Sequence, residues 1–208
     1  HNTLTAEAEF ARIARGKDPF NKRADKYLKM MAVGKDARHI GQVMWRKLYW
    51  SGAFDCIVDN ETGFIRSVRP DPLNPTQIDP SDAARRKEWI PSPPLIPDSC
   101  IGSITWESMG EGIPKVVTLK NGTEMLWCTS NGAPPNGIQL DVAHFDEELT
   151  SDRWLPETLP RLLRFGGIFF WSATPQASTP QFFDLHKRAA AGDPDIEEFT
   201  LLIENNPY

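Results

Sequence analysis

The run QLDVAHFDEELTSDRW, residues 139–154, and the run GGIFFWSATPQ, residues 166–176, together decide how this chain is read. In the first, an alternating apolar strand ending at Phe145 leads directly into Asp146, Glu147 and Glu148. Acids crowded at a strand end repel one another and cost stability unless something positive lies among them. In the second, another apolar strand ends in Ser172, Ala173, Thr174 and Pro175. Two buried strands in this order, each delivering polar groups at its carboxyl end, match the placement of working groups in a parallel α/β sheet.

Outward from these runs the chain keeps α/β grammar. Residues 3–16 predict a helix stopped at Gly16, and YLKMMAV (27–33) predicts a buried strand. The turn GKD follows, then helical spacing through Ile40, Val43, Met44 and Leu48. Residues 70–98 are crowded with prolines and predict an extended surface excursion with at most a short helix at 82–89. SITWE predicts a strand, and Asn121-Gly122 between two β-rich runs predicts a hairpin elaborating the sheet locally. Strand 138–145, helix 155–165, strand 168–173, helix 180–192 and strand 197–204 complete the expectation.

At 208 residues with 40% hydrophobic and 25% charged residues, the composition is that of one globular domain. No run approaches the roughly 18 apolar residues of a membrane span, and the first ten residues have no signal-peptide pattern. Cys56, Cys100 and Cys128 have no CxxC spacing, which favours reduced thiols in a cytosolic setting over a disulfide frame or zinc site. The net charge of −5 conceals an asymmetry: residues 1–50 carry 11 Lys and Arg against 5 Asp and Glu, and the rest carry 12 against 23. The basic quarter reads either as a surface for a polyanion or as solvated helix faces.

The chemistry follows from the strand ends. An acid in the position of Asp146 holds Mg²⁺, usually through water, in nucleotide hydrolases. Glu147 is near enough to polarise an attacking water as general base, and Glu148 suits a helix N-terminus. Ser172 and Thr174 place hydroxyls beside the same rim, where they can bond a γ-phosphate or the catalytic acid. The competing readings are an acidic turn capping a helix and a strand closed off by Pro175. His144 reads as strand packing more readily than as a metal ligand, because His39 and His186 share no ligand spacing with it. Trp106, Trp127 and Trp171 lie in apolar strands and read as core. Lys35, Arg38, Arg46 and Lys47, with Trp45 and Trp50, are the candidates for contact with DNA or a partner.

DVAHFDEE, LPRLLRFGG and FFWSATPQ, in that order, resemble the ATPase domain of the large terminase subunit of tailed phages. MMAVGKDARHIGQVMWRKL, GAFDCIVDNETGFIRSVRP, PPLIPDSCIGSITWE and the closing IENNPY are similar to that family too, so the resemblance spans essentially the whole chain. It implies a P-loop NTPase-type three-layer α/β fold with a mostly parallel central sheet plus the β-hairpin. It also implies ATP and Mg²⁺ as cofactors, with hydrolysis coupled to translocation of double-stranded DNA into a procapsid. By the same resemblance Asp146 takes the magnesium role, Glu147 the catalytic role, and Ser172, Ala173 and Thr174 the coupling motif. Arg161 or Arg164 would contact phosphate or stabilise transition-state charge, with a helix-surface salt bridge as the alternative. The implied partners are a portal protein, a small terminase subunit and further copies of the chain in a ring. The implied location is the host cytoplasm, transiently at the portal, with no membrane.

One part of that pattern is missing. The phosphate-cradling loop G-x-x-x-x-G-K-[ST] does not occur, and the two GKD turns at Gly16 and Gly34 do not supply it. Residues 1–208 are therefore expected to be a partial ATPase domain that begins just after the phosphate loop and stops before a nuclease domain, with weak nucleotide affinity. A helicase-like ATPase and a non-catalytic domain of the same fold are the alternatives.

Overall fold

The computed structural model describes residues 2–17, 27–74, 77–163, 166–174 and 180–199. A six-stranded sheet has the order β5-β6-β7-β1-β8-β9. Its strands are β1 (Lys29–Gly34), β5 (Ile101–Ser108), β6 (Ile113–Leu119), β7 (Glu124–Thr129), β8 (Val142–Asp146) and β9 (Ile168–Ser172). The four strands from β7 to β9 are mutually parallel, while β5, β6 and β7 pair antiparallel. The expectation of a mostly parallel α/β sheet holds. The hairpin is not a local elaboration, however: β7 pairs directly with β1, so the hairpin strands β6 and β7 together with β5 make up half of the sheet.

Side chains alternate across the parallel strands and sort into two cores. Met30, Ala32, Met125, Trp127 and Val142 pack with α1 (Asn2–Ala14) and with the helix after β1. Met31, Val33, Ala143 and Phe145 pack on the other side with Trp154, Leu155 and Leu162 of α5 (Trp154–Leu163). Helices thus cover both faces, an arrangement compatible with three layers. α1 ends where the sequence predicts, because Gly16 at φ 65° lets Lys17 N–H reach the Arg12 carbonyl and Gly16 N–H reach Ile13. Asn121 of the hairpin turn donates to the Ala14 carbonyl and caps that helix end.

The helix after β1 is not uniform. It runs through α2 (Ala37–His39), a π-helical stretch (Ile40–Met44) and α3 (Trp45–Tyr49), and Asp36 caps its start by accepting from His39 N–H at 2.8 Å. Residues 52–98 build more than a loop. A second antiparallel sheet, β3-β2-β4, is made of β2 (Asp55–Val58), β3 (Ile65–Ser67) and β4 (Ile90–Pro91). The short helix expected at 82–89 forms earlier as α4 (Pro80–Ala84), because Asp79 caps it and Pro80 fits its first turn; Arg86–Glu88 form a 3-10 turn. Arg66 of β3 bonds both carboxylate oxygens of buried Asp82 at 2.7 and 2.8 Å and fastens α4 to this sheet.

The last helix, α6 (Pro180–Ala190), forms as expected. Of the strand expected at 197–204, residues 197–199 are not strand and the rest lie outside the described residues. Among the described residues no helix is long and apolar enough to cross a membrane.

Candidate functional site at the carboxyl edge of the sheet

Thr129, Gly34, Asp146 and Ser172 stand in one register row across β7, β1, β8 and β9. Asp146 is therefore the last residue of its strand, not the first residue beyond it. The helix after β1 covers one face and α5, which follows β8, covers the other. The chain diverges to opposite faces at β1 and β8, the arrangement that opens a ligand crevice at carboxyl ends in α/β sheets.

The period of two along a strand decides which groups meet. His144 and Asp146 share the face covered by α1 and α3, as does Ser172, which pairs in register with Asp146. All three side chains are buried. Ser172 Oγ donates to Asp146 Oδ1 at 2.5 Å, and His144 Nε2 lies 2.9 Å from Ser172 Oγ. From the other side, His39 Nε2 reaches Asp146 Oδ2 at 2.7 Å. Burial works to raise the Asp146 pKa, yet the bonds from His39 and Ser172 hold it below the ordinary carboxylate range. Burial pushes His144 down to about 4, so it is neutral near pH 7.

Two further ionisable groups close the cluster. Glu7 of α1 is 0% exposed, and burial together with the charge of Asp146 raises its pKa well above the usual value. Lys47 of α3 is half-buried; burial lowers its pKa against the opposing fields of Asp146, Glu7 and Glu147. The π-helical stretch helps to bring His39 and Lys47 to one side. In an unbroken α-helix, positions eight apart fall about 80° out of line, and the wider turn removes most of that offset.

Glu147 has φ 69°, the one non-glycine residue of positive φ among the described residues. Its backbone is clamped to β9: its N–H donates to the Ser172 carbonyl at 2.7 Å, and its carbonyl accepts from Trp171 Nε1 at 3.0 Å. A non-glycine residue holds such a backbone only where its surroundings enforce it, as the two bonds to β9 do here. Ala173 and Thr174 follow immediately, half-buried and exposed respectively.

The remaining candidates take different places. Arg161 sits at the far end of α5, where its carbonyl faces Leu140 N–H before β8 begins, and its guanidinium contacts Glu157 and the Pro135 carbonyl. The helix-surface pairing is thus the role observed for it. Arg164 lies outside the described residues. Lys35 and Arg38 are exposed beside the carboxyl edge, Arg46 is exposed over the Trp50 ring at 4.6 Å, and Lys47 instead faces the buried acids. Trp45 is buried against Tyr49 and Trp127.

Among the described residues no group of three or more His, Cys, Asp or Glu side chains could hold a metal by itself. Mg²⁺ is ordinarily held by one or two carboxylates together with water and substrate phosphates; Asp146 is the acid placed for that role, and its two oxygens are bonded to Ser172 and His39. The fold and the site thus define an α/β protein with a buried acid-hydroxyl-imidazole cluster at the carboxyl edge of its parallel strands. No protein-family model matches this chain, and comparison with curated proteins and with solved structures returned no significant match.

Proposed function

We propose that this chain is the ATPase domain of a viral DNA-packaging motor of the terminase type, with a P-loop NTPase fold. The observation that carries the reading is the 2.5 Å bond from Ser172 to Asp146, which joins the two sequence motifs in one register row. Asp146, ionised and oriented by Ser172 and His39, would hold Mg²⁺ through water. Bound Mg²⁺·ATP supplies the reacting phosphoryl group and neutralises its charge. Glu147, fixed by β9, accepts the proton of the attacking water. Ser172 touches Asp146 directly, so a change at the phosphate is felt at the end of β9 and by Ala173 and Thr174 beyond it. Duplex DNA would meet the exposed Lys35, Arg38 and Arg46, with affinity falling steeply as salt rises. A portal protein, a small subunit and further copies in a ring belong to the same proposal, as does action in the host cytoplasm.

A specific observation favours a second reading, a non-catalytic domain of this fold. Asp146 is 0% exposed, both its oxygens are occupied, and the sequence has no phosphate loop. ATP turnover separates the two. It is measured for this chain and for a form extended upstream through any encoded phosphate loop, each with Glu147→Gln. The motor reading expects turnover in the extended form, reduced about 100-fold or more by Glu147→Gln. Absence of turnover in every form supports the non-catalytic reading.

A further inference from the structure

Beside Asp146 lie adjacent buried polar atoms with no hydrogen-bond partner: both carboxyl oxygens of Glu7 and Nδ1 of His144. Glu7 Oε1 is 3.7 Å from His144 Nδ1, and both side chains are wholly buried. Orphaned buried polar atoms are expensive, so two orphans facing each other call for an account.

The neighbouring bonds fix the direction of donation. Ser172 has one hydroxyl proton, and it is committed to the Asp146 carboxylate. Ser172 Oγ can then only accept from His144 Nε2, which places the imidazole proton on Nε2 and leaves a lone pair on Nδ1. A carboxylate facing that lone pair would repel it; a carboxylic acid would satisfy it. The alternative, an imidazolium facing a carboxylate, is opposed by the burial of both groups. The charge of Asp146 further disfavours charge on Glu7, while Lys47 acts the other way.

We propose that Glu7 is a buried carboxylic acid that donates to His144 Nδ1 and completes a four-residue relay, Glu7 to His144 to Ser172 to Asp146, in which every donor points toward Asp146. Closing the contact takes less than about 1 Å of side-chain movement. Glu7 and His144 are then positioning residues: they tie α1 to the ends of β8 and β9 and hold Asp146 with one oxygen turned toward His39. Only the functional consequence rests on the ATPase reading; the relay itself does not.

The test is spectroscopic and uses the ¹⁵N-labelled chain near pH 7. Long-range ¹H–¹⁵N spectra report which ring nitrogen of His144 is protonated. Infrared difference spectra against Glu7→Gln report a protonated carboxyl. The expected result is a neutral His144 with the proton on Nε2, unchanged in Glu7→Gln, and a carboxylic-acid band that this variant removes. A proton on Nδ1, an imidazolium, or the absence of that band overturns the proposal, and the wild-type spectra decide even if bulkier variants fail to fold. In a form that turns over ATP, Glu7→Leu should lower turnover about 10-fold or more, and Glu7→Gln should restore most of it. A relay seen in the spectra of a chain that hydrolyses nothing would count against the ATPase reading alone.

Discussion

Glu147 concentrates local backbone strain at the carboxyl edge. A glutamate in the left-handed region costs about 1–2 kcal/mol, and here the backbone bonds to β9 enforce it. Glu147→Gly should therefore raise stability, by up to about 1 kcal/mol after glycine's own entropic cost, while removing the proposed base. The urea midpoint checks this: the glycine variant should exceed wild type, and Glu147→Gln, which keeps the strain, should not. At this scale the acids and hydroxyls were legible, because strand ends are visible in hydropathy. The spacing of two between His144 and Asp146 places them on one face and was an available signal that His144 belongs with the acid. Glu7, His39 and Lys47 were not legible, since they reach the cluster from helices far away in sequence. Only the packing of those helices shows that their side chains converge.

At the scale of elements, the small sheet of residues 55–91 is tied together by a network of charged side chains. Arg66 joins Asp59 and Asp82, and its hydrogen bonds hold both carboxyls well below the ordinary range. An acid whose folded pKa is depressed adds stability that is fully present above its unfolded value, near 4, and is lost as pH falls through the folded value. Amide exchange in β2, β3 and α4 should thus stay slow at pH 5 and quicken only well below pH 4. Quickening between pH 7 and 5 would contradict this role for the pair. The prolines of 70–98 announced an excursion, but not that it would fasten itself through a pair between Arg66 and the buried Asp82. A three-residue strand such as β3 carries too little periodicity to be read. The π-helical stretch was equally hidden, because a single widened turn leaves the apolar spacing of a helix almost intact.

For the whole molecule, the alternation of apolar strands with helices was enough to expect α/β layering, and that much holds. Strand order was not legible. The hairpin joins β1 edge to edge through β7 because of its parallel register, a long-range pairing that no local pattern encodes. What the architecture does with that order is bring β1, β8 and β9 to one carboxyl edge, with Asp146 bonded to both His39 and Ser172. On the proposed function, this edge receives a metal-nucleotide. The most direct measurement is paramagnetic broadening of the labelled chain by Mn²⁺·ATP at millimolar concentration, in wild type and in Asp146→Asn. The expected result is broadening confined to residues 34–39, 145–148 and 172–174, and its loss in the variant. Broadening elsewhere, or broadening indifferent to Asp146→Asn, would contradict it.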